Sequence, residues 1–170
     1  MKKSYGTQIK QAKQRGEWVE MQFLVRASEH GFKVSKPWGD SNQYDFIVEH
    51  HGTCSRVQVK STMFLHPGGY VCNVKTGGER YRGEPFDYLA AYVIPEDAWY
   101  LIPWDDIRDL GAVMLSPWLK RSKYEPYREA WDLLKGEFEI FACIDPAFAD
   151  QDPVVGHDLW PGIPTAALAN

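Results

Sequence analysis

Hydrophobic and polar positions along the chain change period several times, and each change marks an element. Trp18, Met21, Phe23, Leu24 and Ala27 recur at roughly helical spacing, which predicts a helix over about residues 10–30 with those side chains as its buried stripe, ended by Gly31. Residues 32–35 read as a short strand, and the run from Pro37 to Asn42 is dense in turn formers. Residues 44–48 and 56–60 alternate as strands around Gly52, so they are expected to pair as an antiparallel hairpin. Residues 70–75 read as a further strand, followed by a polar, glycine-rich loop over 76–83. The apolar runs 88–94 and 99–103 read as buried sheet strands. Residues 104–107 resemble a helix start, and 125–135 a terminal helix closed by Gly136.

Length and hydrophobic content suffice to bury one core, and a single α/β domain is expected over residues 1–144. Residues 145–170 are rich in Pro, Ala and Asp and read as an acidic tail. The chain has no apolar run of about 18 residues and no apolar leader near its start, so a cytoplasmic protein without a membrane partner is expected. Three cysteines, Cys54, Cys72 and Cys143, lack paired spacing and support neither a disulfide framework nor a zinc ribbon. His50, His51 and Cys54 sit in the hairpin turn without a fourth ligand, which favours an exposed turn over a metal site.

Net charge is −4, but the acids are concentrated at the end of the chain. After Lys135 there is no basic residue, while six acids follow; residues 1–135 then hold 19 basic residues against 17 acids, a surplus of +2. Lys2, Lys3, Lys10, Lys13 and Arg15 precede the first acid, an arm suited to phosphate contacts or to a solvated terminus.

Candidate chemistry lies in the hairpin. Residues two apart on a strand share a face, so Gln58 and Lys60 project together while Val57 and Val59 face the other way. A turn near Gly52 and Thr53 gives a register with Asp45 roughly opposite Lys60. The predicted helix can add Glu17 and Glu20 from one face. Carboxylates, an amide oxygen and a strand carbonyl suit a hard cation such as Mg²⁺, and a nearby ammonium suits a developing phosphate charge. The same residues also describe an ordinary polar sheet face.

The order of a helix bearing Glu20, Gly31 before a strand, Tyr44-Asp45, and then Gln58-Val59-Lys60 resembles the PD-(D/E)XK nuclease superfamily. Residues 31–40 with Val57-Gln58-Val59-Lys60-Ser61-Thr62 resemble its branch of intron-encoded homing endonucleases and small bacterial nuclease-like proteins, with archaeal junction resolvases as more distant relatives. The resemblance spans roughly residues 10–135. It implies a restriction-endonuclease-like fold, a central mixed sheet flanked by helices, with a cofactor of Mg²⁺ or Mn²⁺ and hydrolysis of double-stranded or branched DNA to leave a 5′-phosphate. It implies Glu20, Asp45, Gln58 and Lys60 as catalytic residues, with Asp45, Glu20, Gln58 and the Val59 carbonyl around the metal and Glu17 in reserve. Gln58 departs from the usual acid and lacks its formal charge.

Further candidate DNA contacts are Trp38, Ser61, Thr62, Tyr70, Lys75, Arg80 and Arg82, which interleave aromatics, hydroxyls and cations beside the motif. Tyr88, Tyr92, Trp99 and Tyr100 read as core. Two-strand cleavage with one site per chain favours a homo-oligomer, a dimer or tetramer. Two other readings remain open: a catalytically silent DNA-binding module with this fold, and an α/β interaction domain with a chance motif. Within the enzyme reading, a junction resolvase-like activity is the alternative to homing or restriction-type cleavage.

Overall fold

A computed structural model describes residues 5–39 and 41–136, all within the unit Met1–Glu137. Asp40, Lys2, Lys3, Cys143 and the acidic tail lie outside the described residues, as does the expected boundary at residue 144. The elements in order are α1 (Ala12–Glu29), β1 (Lys33–Ser35), β2 (Phe46–His50), β3 (Thr53–Thr62), β4 (Leu65–His66), β5 (Gly69–Asn73), β6 (Lys75–Thr76), β7 (Glu79–Arg80), β8 (Tyr88–Val93), β9 (Ala98–Pro103) and β10 (Ala112–Leu115).

The central sheet has the order β1-β2-β3-β8-β9. β3 runs parallel to β8 and the other pairs are antiparallel, so the expected mixed sheet is present. Apolar runs in β8 and β9 follow from burial on both faces. One face meets α1 through Val57, Val59, Phe46, Val48, Ala90, Tyr92 and Trp99; the other carries Leu89, Ala91, Tyr100 and Ile102. That second face is covered by the small sheet β10-β5-β4, not by a helix, and α1 is the single α-helix among the described residues. Strand β10 and this second sheet were not anticipated from the sequence.

Helix α1 buries Val19, Phe23 and Ala27, a stripe repeating every four residues, with Phe23 packed 5.3 Å from the Phe46 ring and 5.7 Å from the Trp99 ring, centroid to centroid. Two residues of the expected stripe are instead exposed, Met21 at 58% and Leu24 at 41%, because they lie about a quarter-turn or more off that line. The helix ends where foreseen. Gly31 takes φ +82°, the Phe32 N–H reaches the Ala27 carbonyl and the Gly31 N–H that of Ser28, which together close a Schellman motif.

The hairpin between β2 and β3 turns on His51 and Gly52, with φ of 46° and 84°. Positive φ at both central residues is the type I′ requirement, and it fixes a two-residue loop between the paired His50 and Thr53. Phe46 therefore pairs with Val57, and Asp45, just before the ladder, meets the Gln58 side chain, two residues from the expected partner Lys60. Because the shift is by two, the facing of every side chain is preserved.

The glycine-rich loop contains a miniature hairpin, β6 with β7, turning on Gly77 and Gly78 at φ 55° and 88°. Residues 104–106 form one 3₁₀ turn and no longer helix. The expected terminal helix is replaced by two 3₁₀ turns, Glu125–Tyr127 and Trp131–Lys135. Pro126 sits in the first turn, where a missing N–H is tolerated, and it is Glu129, at φ +50°, that breaks a continuous helix. Trp131 still reaches the core, 5.8 Å from Phe23 and stacked 4.8 Å from His30.

Candidate active site

Asp45 immediately precedes β2 and is tied to β3 through three contacts. Its own N–H donates to the Val57 carbonyl at 2.9 Å, and its Oδ2 accepts the Val59 N–H at 2.7 Å and the Gln58 Nε2–H at 2.5 Å. The same Gln58 nitrogen donates to the Val59 carbonyl at 3.2 Å. A carboxylate oxygen and a backbone carbonyl oxygen thus converge on one donor. Half a turn of the amide about its last bond presents Oε1 in place of the nitrogen, giving three oxygens around one point, the donor set a hard cation takes.

The electrostatics agree with a cation-accepting site. Burial pushes the Asp45 carboxyl up from 3.8 to about 6; the Val59 N–H opposes that, the charge of Glu20 adds to it, and the charges of Lys60 and Lys36 oppose it. Two carboxylates close enough to repel in a low-dielectric setting gain from a shared counter-charge. Glu20 comes from α1, which packs on the face of β3 opposite to Gln58 and Lys60, and its Oε2 accepts a 2.7 Å ion pair from Lys36 Nζ just after β1. Lys60 projects beside Gln58 with Nζ 5.8 Å from the centroid of the Tyr81 ring.

The structure therefore brings Asp45, Gln58, Val59 and the charges of Glu20 and Lys60 to one region. Among the described residues no group of three or more His, Cys, Asp and Glu side chains forms a metal-holding cluster. The candidate site offers two carboxylates, one amide and one backbone carbonyl. Gln58 is buried, and burying an amide beside a carboxylate is tolerable because both are hydrogen-bonded. His50 and His51 pack on each other at 4.2 Å in the turn, and Cys54 is an exposed free thiol. Cys72 is fully buried, and burial pushes its thiol up to about 12, so it stays protonated.

The candidate DNA contacts divide. Trp38 is 99% exposed, and Lys75, Arg80 and Arg82 are exposed on or beside the β6–β7 hairpin. Ser61 is half-buried. Thr62 and Tyr70 are corrected. At 6% and 5% exposure they have no surface to offer a phosphate, and the Tyr70 hydroxyl is engaged with Glu96 at 2.9 Å. Tyr88 is half-buried, while Tyr92, Trp99 and Tyr100 are core, as expected.

Three features of the region were not foreseen. Lys36 was not assigned, and no spacing rule links it to Glu20, since their meeting depends on how α1 docks beside the end of β1. Tyr81 sits beneath Lys60 between Arg80 and Arg82, so the cationic hairpin leads directly to the motif lysine. Arg56 and Asp87 brace the start of β3 against the start of β8: the Asp87 carboxylate accepts from the Arg56 N–H at 2.6 Å, Nε at 3.2 Å and NH2 at 2.7 Å. This brace holds the strand that carries Gln58 and Lys60.

Comparison with known proteins gives the arrangement a family. No curated protein matches the sequence. A solved structure, that of the bacterial homing endonuclease I-Ssp6803I, is similar with a TM-score of 0.62 and 31% sequence identity, over 73% of this chain and 93% of that one. The family model described as PD-(D/E)XK endonuclease matches residues 10–132, a span that contains Glu20, Asp45, Gln58 and Lys60 together with the whole five-stranded sheet. On that match the chain belongs to the PD-(D/E)XK endonuclease family.

Proposed function

We propose that this protein is a divalent-metal-dependent DNA endonuclease in which Asp45, Glu20, Gln58 and the Val59 carbonyl hold Mg²⁺ or Mn²⁺ and Lys60 acts on the reacting phosphate. The observation that carries the reading is the convergence of Asp45 Oδ2 and the Val59 carbonyl on the Gln58 amide, with the charges of Glu20 and Lys60 both bearing on Asp45. When bound, the cation supplies charge neutralisation and an activated water.

The chain's own residues do the rest. The Val59 N–H fixes the Asp45 carboxylate, so its free oxygen is oriented before a ligand arrives. Lys60 brings a fixed positive charge to the non-bridging oxygens of the scissile phosphate, where negative charge grows in the transition state. Tyr81 holds the lysine stem from below and limits its conformations. Lys75, Arg80 and Arg82 supply backbone contacts along the hairpin, and the exposed Trp38, between β1 and β2, supplies an aromatic surface. Cleavage of both strands of a duplex follows from a symmetric homo-oligomer with one site per chain.

A silent DNA-binding role is the second reading. It draws support from Gln58, which brings no formal charge and whose amide donates to Asp45. One experiment separates the readings: supercoiled plasmid and a synthetic four-way junction are incubated with the protein, with and without Mg²⁺ or Mn²⁺. Metal-dependent nicking or linearisation is expected, and junction cleavage alone identifies a resolvase-like activity. Binding in a gel shift with no cleavage of either substrate in either metal overturns the enzyme reading.

A further inference from the structure

The Lys36–Glu20 pair is asymmetric. The Glu20 side chain is 25% exposed and the Lys36 side chain 63%, with 2.7 Å between Nζ and Oε2. A partly desolvated carboxylate needs a counter-charge, whereas a mostly hydrated ammonium does not. The charge of Lys36 also bears on Asp45 and Glu17, and its ammonium lies 5.8 Å from the ring centroid of Phe46, the residue after Asp45. Among the described residues Lys36 is the one cation within ion-pair distance of Glu20. The acids that face it come from α1 and from the start of β2, the two elements that meet at the candidate metal site.

We propose that Lys36 is a resident counter-cation of the metal-free site, which holds Glu20 in place and is displaced from it when a divalent ion binds. The inference rests on the reading of Glu20 and Asp45 as metal ligands. Its physical content is competition: one carboxylate cannot give full charge compensation to an ammonium and to a divalent ion together. Lys36 then has two effects that a purely structural ion pair lacks. It lowers the apparent affinity for the metal, and it stabilises the protein chiefly when no metal is present. Its exposure allows it to leave Glu20 and enter water, or a nearby phosphate, at small cost.

Mn²⁺ titration calorimetry on the full chain tests this, with melting curves recorded in EDTA and in saturating Mn²⁺. Lys36→Gln should bind Mn²⁺ about three- to tenfold tighter than wild type, the range open to a partly exposed charge pair. Lys36→Arg, which keeps the charge, should stay near wild type. In a Glu20→Gln background the Lys36→Gln effect should shrink to the smaller share carried by its charge on Asp45. Lys36→Gln should melt lower than wild type in EDTA, with the gap narrowing in Mn²⁺. Unchanged or weaker Mn²⁺ affinity in Lys36→Gln, in a protein where Asp45→Asn does weaken binding, overturns the role of Lys36. If Asp45→Asn binds Mn²⁺ as wild type does, the metal site itself lies elsewhere and the proposal falls with it.

Discussion

Asp45 and Gln58 face one another across the β2–β3 hairpin, and a 2.5 Å hydrogen bond joins the amide of Gln58 to the carboxylate of Asp45. The family's usual acid at the second position would place a second carboxylate against Asp45, where the amide places a donor.

Gln58→Glu should raise affinity for Mg²⁺ and Mn²⁺ by about tenfold or more, since it adds a formal charge among the ligands. The same change should lower the melting temperature in EDTA, because a second carboxylate then faces Asp45. Gln58→Ala should weaken metal binding without unfolding the chain. Superimposable metal titrations of wild type and both variants would remove Gln58 from the ligand set.

Lys60→Ala should reduce cleavage by about 10²–10³ while DNA affinity in a gel shift changes little, because the ammonium acts on charge that develops in the transition state. The Tyr81 ring beneath it loses only a partner. Wild-type cleavage by this variant would take Lys60 out of the mechanism.

Asp45 carries a pH prediction. Its folded pKa of about 6 lies above the ordinary 3.8, so the folded metal-free protein binds the proton more tightly than the unfolded chain does. Ionised Asp45 therefore costs stability above pH 6, and the cost is relieved as pH falls from 6 towards 4. In EDTA at pH 7.5, Asp45→Asn should be more stable than wild type by about 1–2 kcal/mol, and the difference should close by pH 4. Urea denaturation at the two pH values measures it; a difference independent of pH contradicts the burial argument.

Asp87→Asn should destabilise the protein by about 1–2 kcal/mol, a range that allows for the partial exposure of its pair with Arg56. Metal affinity should hold, as the hydrogen bonds that Asp87 accepts all come from Arg56 and none from Asp45, Glu20, Gln58 or Val59. A loss of Mn²⁺ binding without loss of stability would show that the brace positions the site directly.

What the sequence disclosed was set by local chemistry. Gly31 and the I′ pair His51-Gly52 act through backbone conformation alone, so the helix end and the existence of the hairpin were legible. The register was misplaced by two because His51, not Thr53, takes the positive φ beside Gly52, and a histidine there gives little warning. Facing survived that shift, so Asp45 still meets Gln58, which shares its strand face with Lys60. The pairs Lys36–Glu20 and Lys60–Tyr81 depend on how α1 and the β6–β7 hairpin dock, which no local pattern encodes. Thr62 and Tyr70 were misjudged for the same reason, since their burial comes from tertiary packing. The terminal helix was lost to the left-handed Glu129, which no local pattern announces, while Pro126 in the first turn is compatible with a helix.

The central claim is that the start of β2 and the middle of β3 form a divalent-metal site, and Mn²⁺ titration of wild type against Asp45→Asn tests it most directly. A saturable site should appear in the wild type, with affinity that falls as pH drops below about 6 because the Asp45 proton must leave before a metal binds. In Asp45→Asn that affinity should fall by about tenfold or more, since a formal charge is lost from the ligand set while the fold, checked by circular dichroism, is retained. Equal Mn²⁺ affinity in the two proteins, or no binding in the wild type, contradicts the account.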